Sequence, residues 1–555
     1  MIQFARTCES IGETPSKTEK ISRLAEYFRA IDDADLEASA RFFTGSPFAQ
    51  RDQKNLTLGG NTIVAAAKNV WGIGDSDISA AYREAGDLGS ALCAFIRPPL
   101  DLGLFSQTLS PASLRVLFED IANVSGKNAG ARRLHLCQRI LSACTQAIEA
   151  KYVIKIMTGD LRIGLREGFV VEAVAEAFAQ SARDVRKASM LSGDIGSVAI
   201  AAKIDALDGI CMVYGSPIGF MLASPLTFGG SYRELARGGW LVEDKFDGIR
   251  AQAHKNEDGV RLFSRTLNDI SRSYPEIVDA LKNMPGRFVV DGEIIAHRNG
   301  GALPFRYLQA RMQRKIVTAD LLDEVPVLYV CFDILACGDD FLLDEPLSHR
   351  RAMLAGVVHA TPHVTVSQSR ELMPVELDET LGRLFYEARS RGHEGLLLKR
   401  ADSPYHPGRR GKWWFKLKRE LSTLDVVVVA VEWGHGKRAK VLSDYTFAVR
   451  GMAGELLTIG KAYSGLTDAE ITELTRRFLD HRIGRKGHGI LVEPTIVLEV
   501  AFDIVQPSDL HQSGFALRFP RIVRIRDDKP ASEIDTIGRV DEIYKEMLRR
   551  EGVER

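Results

Sequence analysis

The octet Glu243-Asp244-Lys245-Phe246-Asp247-Gly248-Ile249-Arg250 decides how the chain is interpreted. An apolar, strand-like run, Trp240 to Val242, leads into it. A protonated lysine is a poor nucleophile, so a reacting lysine needs a pKa lowered by burial or by nearby positive charge, which Arg250 and a bound divalent metal would supply. Asp247-Gly248 is a turn signal that lets the chain reverse close to a ligand. The octet predicts a nucleophilic Lys245; the alternative is an ordinary charged turn.

Five further strings follow the octet in order, and a sixth lies far downstream. They are Ser264-Arg265, Asp291-Gly292-Glu293, Phe332-Asp333, Glu394-Gly395-Leu396-Leu397-Leu398-Lys399, Trp414-Phe415-Lys416-Leu417-Lys418 and, downstream, Arg518-Phe519-Pro520-Arg521. Taken singly, each residue is more simply explained as a core aromatic, a solvated acid or a surface charge. As an ordered set the strings resemble the covalent nucleotidyltransferases and, among these, the ATP-dependent DNA ligases.

The resemblance implies a role for each motif. Lys245 would attack the α-phosphate of ATP and form a lysine–AMP phosphoramidate. The implied ATP or AMP contacts are Glu243, Arg250, Arg265, Glu293, Phe332, Arg410, Lys416 and Lys418. Phe332 would stack on adenine, and Lys416 and Lys418, at alternate strand positions, would face the same way toward phosphate. Glu293 and Glu394 would bind Mg²⁺ or the ribose hydroxyls, and this choice stays open.

Arg518, Arg521 and Lys529 lie outside the pocket region. The resemblance implies that they close onto the triphosphate and orient pyrophosphate for the first step, and that they then move away. Such closure implies a hinge near residues 419–424 and a conformational step during turnover. Arginine forks suit phosphate, but a basic DNA-facing surface explains the same residues.

Three domains are predicted along the chain. Residues 1–205 show helical apolar spacing, residues 206–419 mix strands with helices, and residues 420–555 are mainly strand-like with one helix, Thr467 to Leu479. The resemblance implies an all-α DNA-binding domain, an α+β nucleotidyltransferase (ATP-grasp-like) adenylation domain and a C-terminal β-barrel of the OB-fold type.

Two glycine-rich basic turns in the helical region suit phosphate binding, because backbone amides at helix starts and cationic side chains attract anions. They span residues 125–133 and 158–165, and the predicted DNA contacts in them are Lys127, Arg132, Arg133 and Arg162. Solvated helix ends look similar. A string in the second turn, Gly159-Asp160-Leu161-Arg162-Ile163-Gly164-Leu165, resembles the ligase DNA-binding domain most closely.

Composition limits how the chain could bind a polyanion and in which compartment it is expected to work. The chain has 555 residues, with 73 Lys plus Arg and 73 Asp plus Glu, so a polyanion must be bound by basic patches rather than by net charge. Its seven cysteines are scattered without a Cys-x-x-Cys pair, which argues against a zinc module and favours a reducing cytoplasm. The sequence shows no secretory segment and no apolar run long enough to span a membrane.

The sequence therefore predicts an ATP- and Mg²⁺-dependent DNA ligase that seals nicks in duplex DNA as a monomer, with roles in replication, repair or recombination. The helical domain would grip the duplex and the three domains would encircle the nick. An RNA ligase or capping enzyme is disfavoured by the helical region and by the string at 518–521. An NAD-dependent ligase is disfavoured because no zinc-type cysteine cluster follows the barrel. An inactive nick-binding protein is disfavoured because it would have lost a motif residue, and every residue of the quoted motifs is present.

Overall fold

The computed structural model describes residues 1–96, 109–227, 235, 237–312, 314, 317–418, 422–434, 438, 440–486 and 489–550, with the backbone only at 227, 418, 486, 549 and 550. The chain divides into two compact units. The first unit contains residues 1–225, 231–384 and 395–416, and the second contains residues 226–230, 385–394 and 417–555.

The first part of the chain is helical. Its helices α1 to α12 are Ile2–Glu13, Lys17–Ala30, Asp33–Phe43, Gly60–Trp71, Asp75–Ala85, Leu88–Leu92, Pro111–Ala122, Ala129–Ser142, Ala147–Met157, Glu167–Ala177, Ala182–Ser192 and Ile195–Lys203. Ser16 caps α2 through the Glu19 amide, and Ser110 forms a capping box before Pro111. One apolar core joins these helices and includes Phe4, Phe42 and Phe118.

The middle region carries two sheets and five helices. Its strands β1 to β12 are Leu222–Thr227, Trp240–Lys245, Ile249–Asn256, Gly259–Ser264, Phe288–Arg298, Gly301–Ala302, Val327–Cys337, Asp340–Phe341, Val364–Val366, Ser369–Leu372, Gly395–Arg400 and Arg410–Lys418. Helices α13 to α17 are Pro275–Lys282, Phe305–Gln309, Ala319–Glu324, Leu347–Val357 and Pro374–Ser390. One sheet has the order β1-β12-β11-β2-β10, and the other is built on β4-β3-β5-β7-β8.

The last part is rich in strands, as predicted. Strands β13 to β21 are Ser422–Trp433, Leu442–Arg450, Leu456–Ala462, Arg482–Lys486, Gly489–Val492, Val497–Phe502, Ile504–Pro507, Phe515–Arg518 and Arg521–Ile525. Helix α18, Asp468–Asp480, begins at a Thr467 capping box, where the sequence predicts the inserted helix. Long β13 pairs with β14, β17 and β18, so it joins most of the sheet.

One element was not foreseen: the chain has a further helix, α19, at Ile537–Arg550. Residues 419–421 of the predicted hinge lie outside the described residues. The domain boundaries at 205 and 419 stay predictions. In the part of the chain that the structure describes, no helix has the length and apolarity needed to cross a membrane.

Candidate active site

The polar face of the β3–β5 pair holds the first group of predicted residues. Alternation along β5 buries Val290 and Ile294 in an apolar core, and it places Asp291 and Glu293 on the opposite face. Arg250 on β3 lies opposite Glu293 in the antiparallel register. Its guanidinium forms a two-pronged ion pair with Asp291, with Nε–Oδ1 at 3.1 Å and Nη2–Oδ2 at 2.6 Å.

Arg250 is held on several sides. Nη1 donates to the Met221 carbonyl at 2.6 Å, and the guanidinium lies 4.9 Å from the Phe220 ring centre and 5.4 Å from that of Phe332. Burial opposes the charged form, but the charge and hydrogen bonds of Asp291 outweigh it, so the pKa of Arg250 is raised. Arg250 therefore stays charged at the edge of an aromatic pocket; its contact with the nucleotide stays a prediction.

Glu243 forms the centre of a second charged group. Its Oε2 accepts from the Lys399 ammonium at 2.8 Å, and both side chains are buried. Lys399 Nζ lies 4.0 Å from the centre of the Phe332 ring and 4.6 Å from that of Trp414. Burial lowers the pKa of Lys399 although Glu243 opposes the shift. A cation between two aromatic faces is stabilised by their quadrupoles, so this pair connects the predicted adenine ring contact to the octet.

The second oxygen of Glu243 is left open. Oε1 is buried and has no hydrogen-bond partner among the described residues, and Arg351 Nη1 lies 3.7 Å away. A buried carboxylate oxygen without a donor is costly, and a ligand amino group would satisfy it. Arg351 is itself fixed by the carbonyls of Phe332 and Ser367.

Lys245 ends β2 on the same sheet face as Glu243. The register pairs Lys245 with Gly395 and Glu243 with Leu397, so both side chains follow the same alternation, and Lys245 is half-buried. The turn after it runs directly against β5. A Cβ at Gly248 would lie 2.3 Å from the Ile294 carbonyl oxygen and 2.9 Å from Glu293 Cγ. Glycine therefore lets the turn bring Lys245 close to the strand that carries Glu293.

The remaining predicted pocket residues are placed as follows. Lys416 is half-buried on β12, two positions after Trp414, and the side chain of Lys418 lies outside the described residues. Arg265, in the turn after β4, and Arg410, at the start of β12, are exposed. Glu394 is half-buried and belongs to the second unit. The structure thus brings together Arg250, Glu293 and Phe332 on one sheet, with Glu243, Lys245 and Lys416 on the facing sheet.

The two basic turns of the helical region contain both exposed and internally bonded cations. Lys127 and Arg132 are exposed. Arg133 donates to the Val124 carbonyl at 2.7 Å, and Arg162 donates to the Gly86 carbonyl at 2.6 Å. Arg133 therefore also stabilises its own turn, Arg162 links its turn to the end of α5, and DNA contact by all four stays a prediction.

The downstream motif lies in the second unit. Arg518 is half-buried with its guanidinium 5.2 Å from the Phe519 ring centre, and Arg521 is exposed. Lys529 Nζ pairs with Asp425 at 2.7 Å, and Arg526 pairs with the same carboxylate at 2.9 Å. Lys529 thus has an internal anionic partner that the sequence did not predict.

Sequence reasoning left Asp291, Lys399, Trp414 and Arg351 without roles. The first three stand inside quoted motifs, and strand alternation gave a usable signal: Asp291 shares a face with Glu293, and Trp414 shares one with Lys416. Arg351 comes from α16, far from every motif, and no pattern in the sequence indicates it.

Comparison with known proteins agrees with these motifs. Three family models match: "DNA ligase N terminus" at residues 1–175, "ATP dependent DNA ligase domain" at 220–418 and "ATP dependent DNA ligase C terminal region" at 438–529. A probable DNA ligase of Koribacter versatilis is 46% identical over 570 residues, covering 98% of this chain and 96% of that protein. A DNA ligase of Archaeoglobus fulgidus is 34% identical over 551 residues, covering 98% of each.

The fold also matches. The solved structure "Pmar-Lig_PreS3" covers 94% of this chain and 99% of that one, with a TM-score of 0.58 and 17% identity, which supports the fold alone. The order of the three matched regions is the order predicted for the domains. The relatives and the family models together show that this chain belongs to the ATP-dependent DNA ligase family.

Proposed function

We propose that Lys245 carries AMP between ATP and a nick in duplex DNA. The neutral Lys245 amine attacks the α-phosphate of ATP, a phosphoramidate forms, and pyrophosphate leaves. The 5′-phosphate at the nick then attacks the lysine-bound AMP, which releases the amine. Finally the 3′-hydroxyl attacks the activated 5′-phosphate and expels AMP. Each step exchanges one phosphate bond for another, so catalysis consists mainly of positioning and charge neutralisation.

The observation that supports this proposal most strongly is the Glu243 carboxylate. Its open Oε1 suits the exocyclic amino group of adenine, and the Phe332 ring beside it offers a stacking surface. A guanine would present a carbonyl oxygen at the same place, which a carboxylate repels. Arg250 and Glu293 would hold the ribose, and Lys416 and Lys418 would contact phosphate, with Arg265 and Arg410 at the exposed edge.

Mg²⁺ fits the donors that the chain offers. No group of three or more His, Cys, Asp or Glu side chains is assembled for a metal in the described ranges. Mg²⁺ is commonly bound by one or two carboxylates together with substrate phosphates and water, which matches Glu293 and Glu394 as candidates. Bound there, the ion would neutralise phosphate charge during nucleotidyl transfer.

The proposal also covers the DNA contacts, the cellular compartment and the oligomeric state. Lys127, Arg132, Arg133 and Arg162 would contact phosphates of a nicked duplex, and Arg518, Arg521 and Lys529 would orient pyrophosphate in the first step. All seven cysteines are unpaired thiols, which fits a reducing cytoplasm. A single chain that encircles its substrate acts as a monomer. DNA affinity should then fall steeply with salt, because released counterions drive phosphate binding.

The test is covalent labelling with α-labelled ATP and Mg²⁺. Wild type should gain a stable label, Lys245→Ala should gain none, and Lys282→Ala, at the last residue of α13, should label like wild type. Labelled protein should pass AMP to nicked DNA and seal it in preference to nicked RNA or diphosphate-ended RNA, and excess GTP or NAD should not compete. An unlabelled wild type, or full labelling of Lys245→Ala, would end the proposal.

A further inference from the structure

Gln53 links the helical region to the middle region through both ends of its side-chain amide. The residue follows a short 3-10 turn, Gln50–Asp52. Its Nε2 donates to the Leu267 carbonyl at 2.9 Å, and its Oε1 accepts from the Asp269 amide at 2.9 Å. One half-buried side chain therefore bonds both a backbone carbonyl and a backbone amide of a single short segment. The backbone of a neighbouring β-strand would make the same pair of bonds.

The segment that Gln53 holds is the turn that carries Arg265. The Ser264 amide donates to the Asn268 carbonyl at 2.9 Å, and the Leu267 amide donates to the Ser264 carbonyl at 2.7 Å. These bonds close a tight loop around Arg265. Because the loop is short, fixing its backbone at Leu267 and Asp269 also limits the positions open to the Arg265 side chain.

Both partners have unusual backbones at this contact. Gln53 has φ 51° and Leu267 has φ 62°, in the left-handed region that residues other than glycine seldom adopt. Such conformations cost free energy and persist where surrounding contacts require them. The strain on each side of the contact is consistent with a conformation maintained for positioning.

The turn also has contacts of its own, including a hydrogen bond from the Asn268 amide to Ser264 Oγ at 3.3 Å and a β-bridge between Phe263 and Asp269. A cavity of about 560 Å³ lies beside it, lined by Gln53, Asn55, Leu267 and Asn268 among others. Apolar packing therefore does not fill the space next to the turn. Another polar link from the helical region, Lys187 to Asp344 at 2.7 Å, lies between exposed side chains, and exposed ion pairs contribute little.

We propose that Gln53 is a positioning residue that sets the Arg265 turn and so couples the helical region to the reaction. The proposal depends on the proposed function only for the step that Arg265 serves. Removing the amide would leave Arg265 chemically intact but less well placed. The cost should therefore appear in the rate of that step and should vanish once Arg265 itself is absent.

The experiment is a double-mutant cycle on the full chain. Gln53→Met keeps the length of the side chain and removes both hydrogen bonds to the Arg265 turn, together with the one that Nε2 donates to the Gln50 carbonyl at 2.8 Å. Gln50→Met is the matched control, because the Gln50 side chain is exposed and makes no hydrogen bond with any residue described. Labelling of Lys245, AMP transfer to a nick and sealing are timed separately in single turnovers, for each variant with Arg265 and with Arg265→Ala.

The loss of both hydrogen bonds to the turn predicts a fall of about tenfold for Gln53→Met in the step that Arg265→Ala slows, and in that step alone. With Arg265→Ala already present, Gln53→Met should change the rate less than about twofold. Gln50→Met should match wild type in both settings. Equal losses with and without Arg265, or no loss at all, would overturn the proposal.

A second measurement does not require catalysis. Amide hydrogen exchange of the peptide spanning residues 264–269 should be about tenfold faster in Gln53→Met than in Gln50→Met. Gln53→Glu keeps the acceptor for Asp269 but places a carboxylate against the Leu267 carbonyl, so it should show the same increase. Unchanged exchange in both Gln53 variants would refute the positioning role. A wild type that takes no label would refute the proposed function instead.

Discussion

The two faces of the sheet built on β4-β3-β5-β7-β8 carry opposite chemistry on the same strands. One face buries Ala251, Val290, Ile294 and Tyr329 in an apolar core. The other face carries charged and polar groups: Gln252, His254 and Asp291 are buried, and Arg250 is half-buried. Alternation along the strand separates these two sets, although apolar Val289 also lies on the polar side, so a single stretch such as 288–298 serves stability on one side and the proposed nucleotide pocket on the other.

The polar face is stable because residues of the segment before β1 form hydrogen bonds with its buried side chains. Gln252 bonds both the amide and the carbonyl of Ile218, and the Gly215 amide donates to His254 Nδ1 at 3.2 Å. Buried polar groups are tolerated only when hydrogen-bonded. The apolar face depends on packing, whereas the polar face depends on hydrogen-bond partners, so substitutions on the two faces should destabilise the protein in different ways.

The largest effect is expected at Asp291. Asp291→Ala leaves the half-buried Arg250 guanidinium without its carboxylate and removes the acceptor for the Tyr405 hydroxyl, 2.8 Å away. Breaking a buried pair from one side costs about 3–5 kcal/mol, so the urea midpoint should fall sharply and labelling of Lys245 should fall with it.

The double variant Arg250→Met/Asp291→Ala is the control for that interpretation. It removes the uncompensated charge and should be more stable than Asp291→Ala alone, while labelling stays low. A double variant that is less stable than the single one would contradict the picture of a polar face that depends on partners.

His254 should produce an intermediate effect that depends on pH. Burial, together with Arg261, lowers the pKa of His254 to about 3, so the folded protein keeps it neutral. Below about pH 6.5 the unfolded chain binds a proton that the folded one refuses, so stability is lost as pH falls toward 3. The loss from this residue between pH 7 and pH 5 should be about 2 kcal/mol in urea unfolding.

His254→Gln should remove that part of the pH dependence, because glutamine does not titrate. The same substitution at exposed His135 keeps His254 and should retain the wild-type difference between the two pH values. An unchanged pH dependence in His254→Gln would show that the imidazole is protonated in the folded state.

The smallest effect belongs to the apolar face. Ile294→Val removes one buried methylene group and should lower the free energy of unfolding by about 1 kcal/mol. Labelling of Lys245 at a temperature where both proteins are folded should be unchanged. A labelling defect as large as that of Asp291→Ala would mean that the two faces are not functionally separate.

Much of this arrangement was predictable because strand alternation and ordered motifs are local signals. The octet, the Asp-Gly-Glu string and the helix at Thr467 to Leu479 were each identified from neighbouring residues, and the structure has strands and a helix there. The partners were not predictable in the same way. Lys399 meets Glu243, and Gln53 meets Leu267, only because distant segments pack together, 156 and 214 residues apart. No local pattern records such pairings.

The lack of a side chain at Gly248 has a consequence for protein engineering. The Ile294 carbonyl oxygen of β5 occupies the position that a Cβ at residue 248 would need. Even alanine there would require the turn to move away from β5. A codon-randomised library at this position, selected for joining activity, should return glycine alone. By contrast, Gly259, whose Cβ would meet nothing within 4 Å, should tolerate other residues to the extent that its backbone angle allows. The distance from the proposed nucleophile, Lys245, to the neighbouring sheet is thus set by a residue that contributes no side chain.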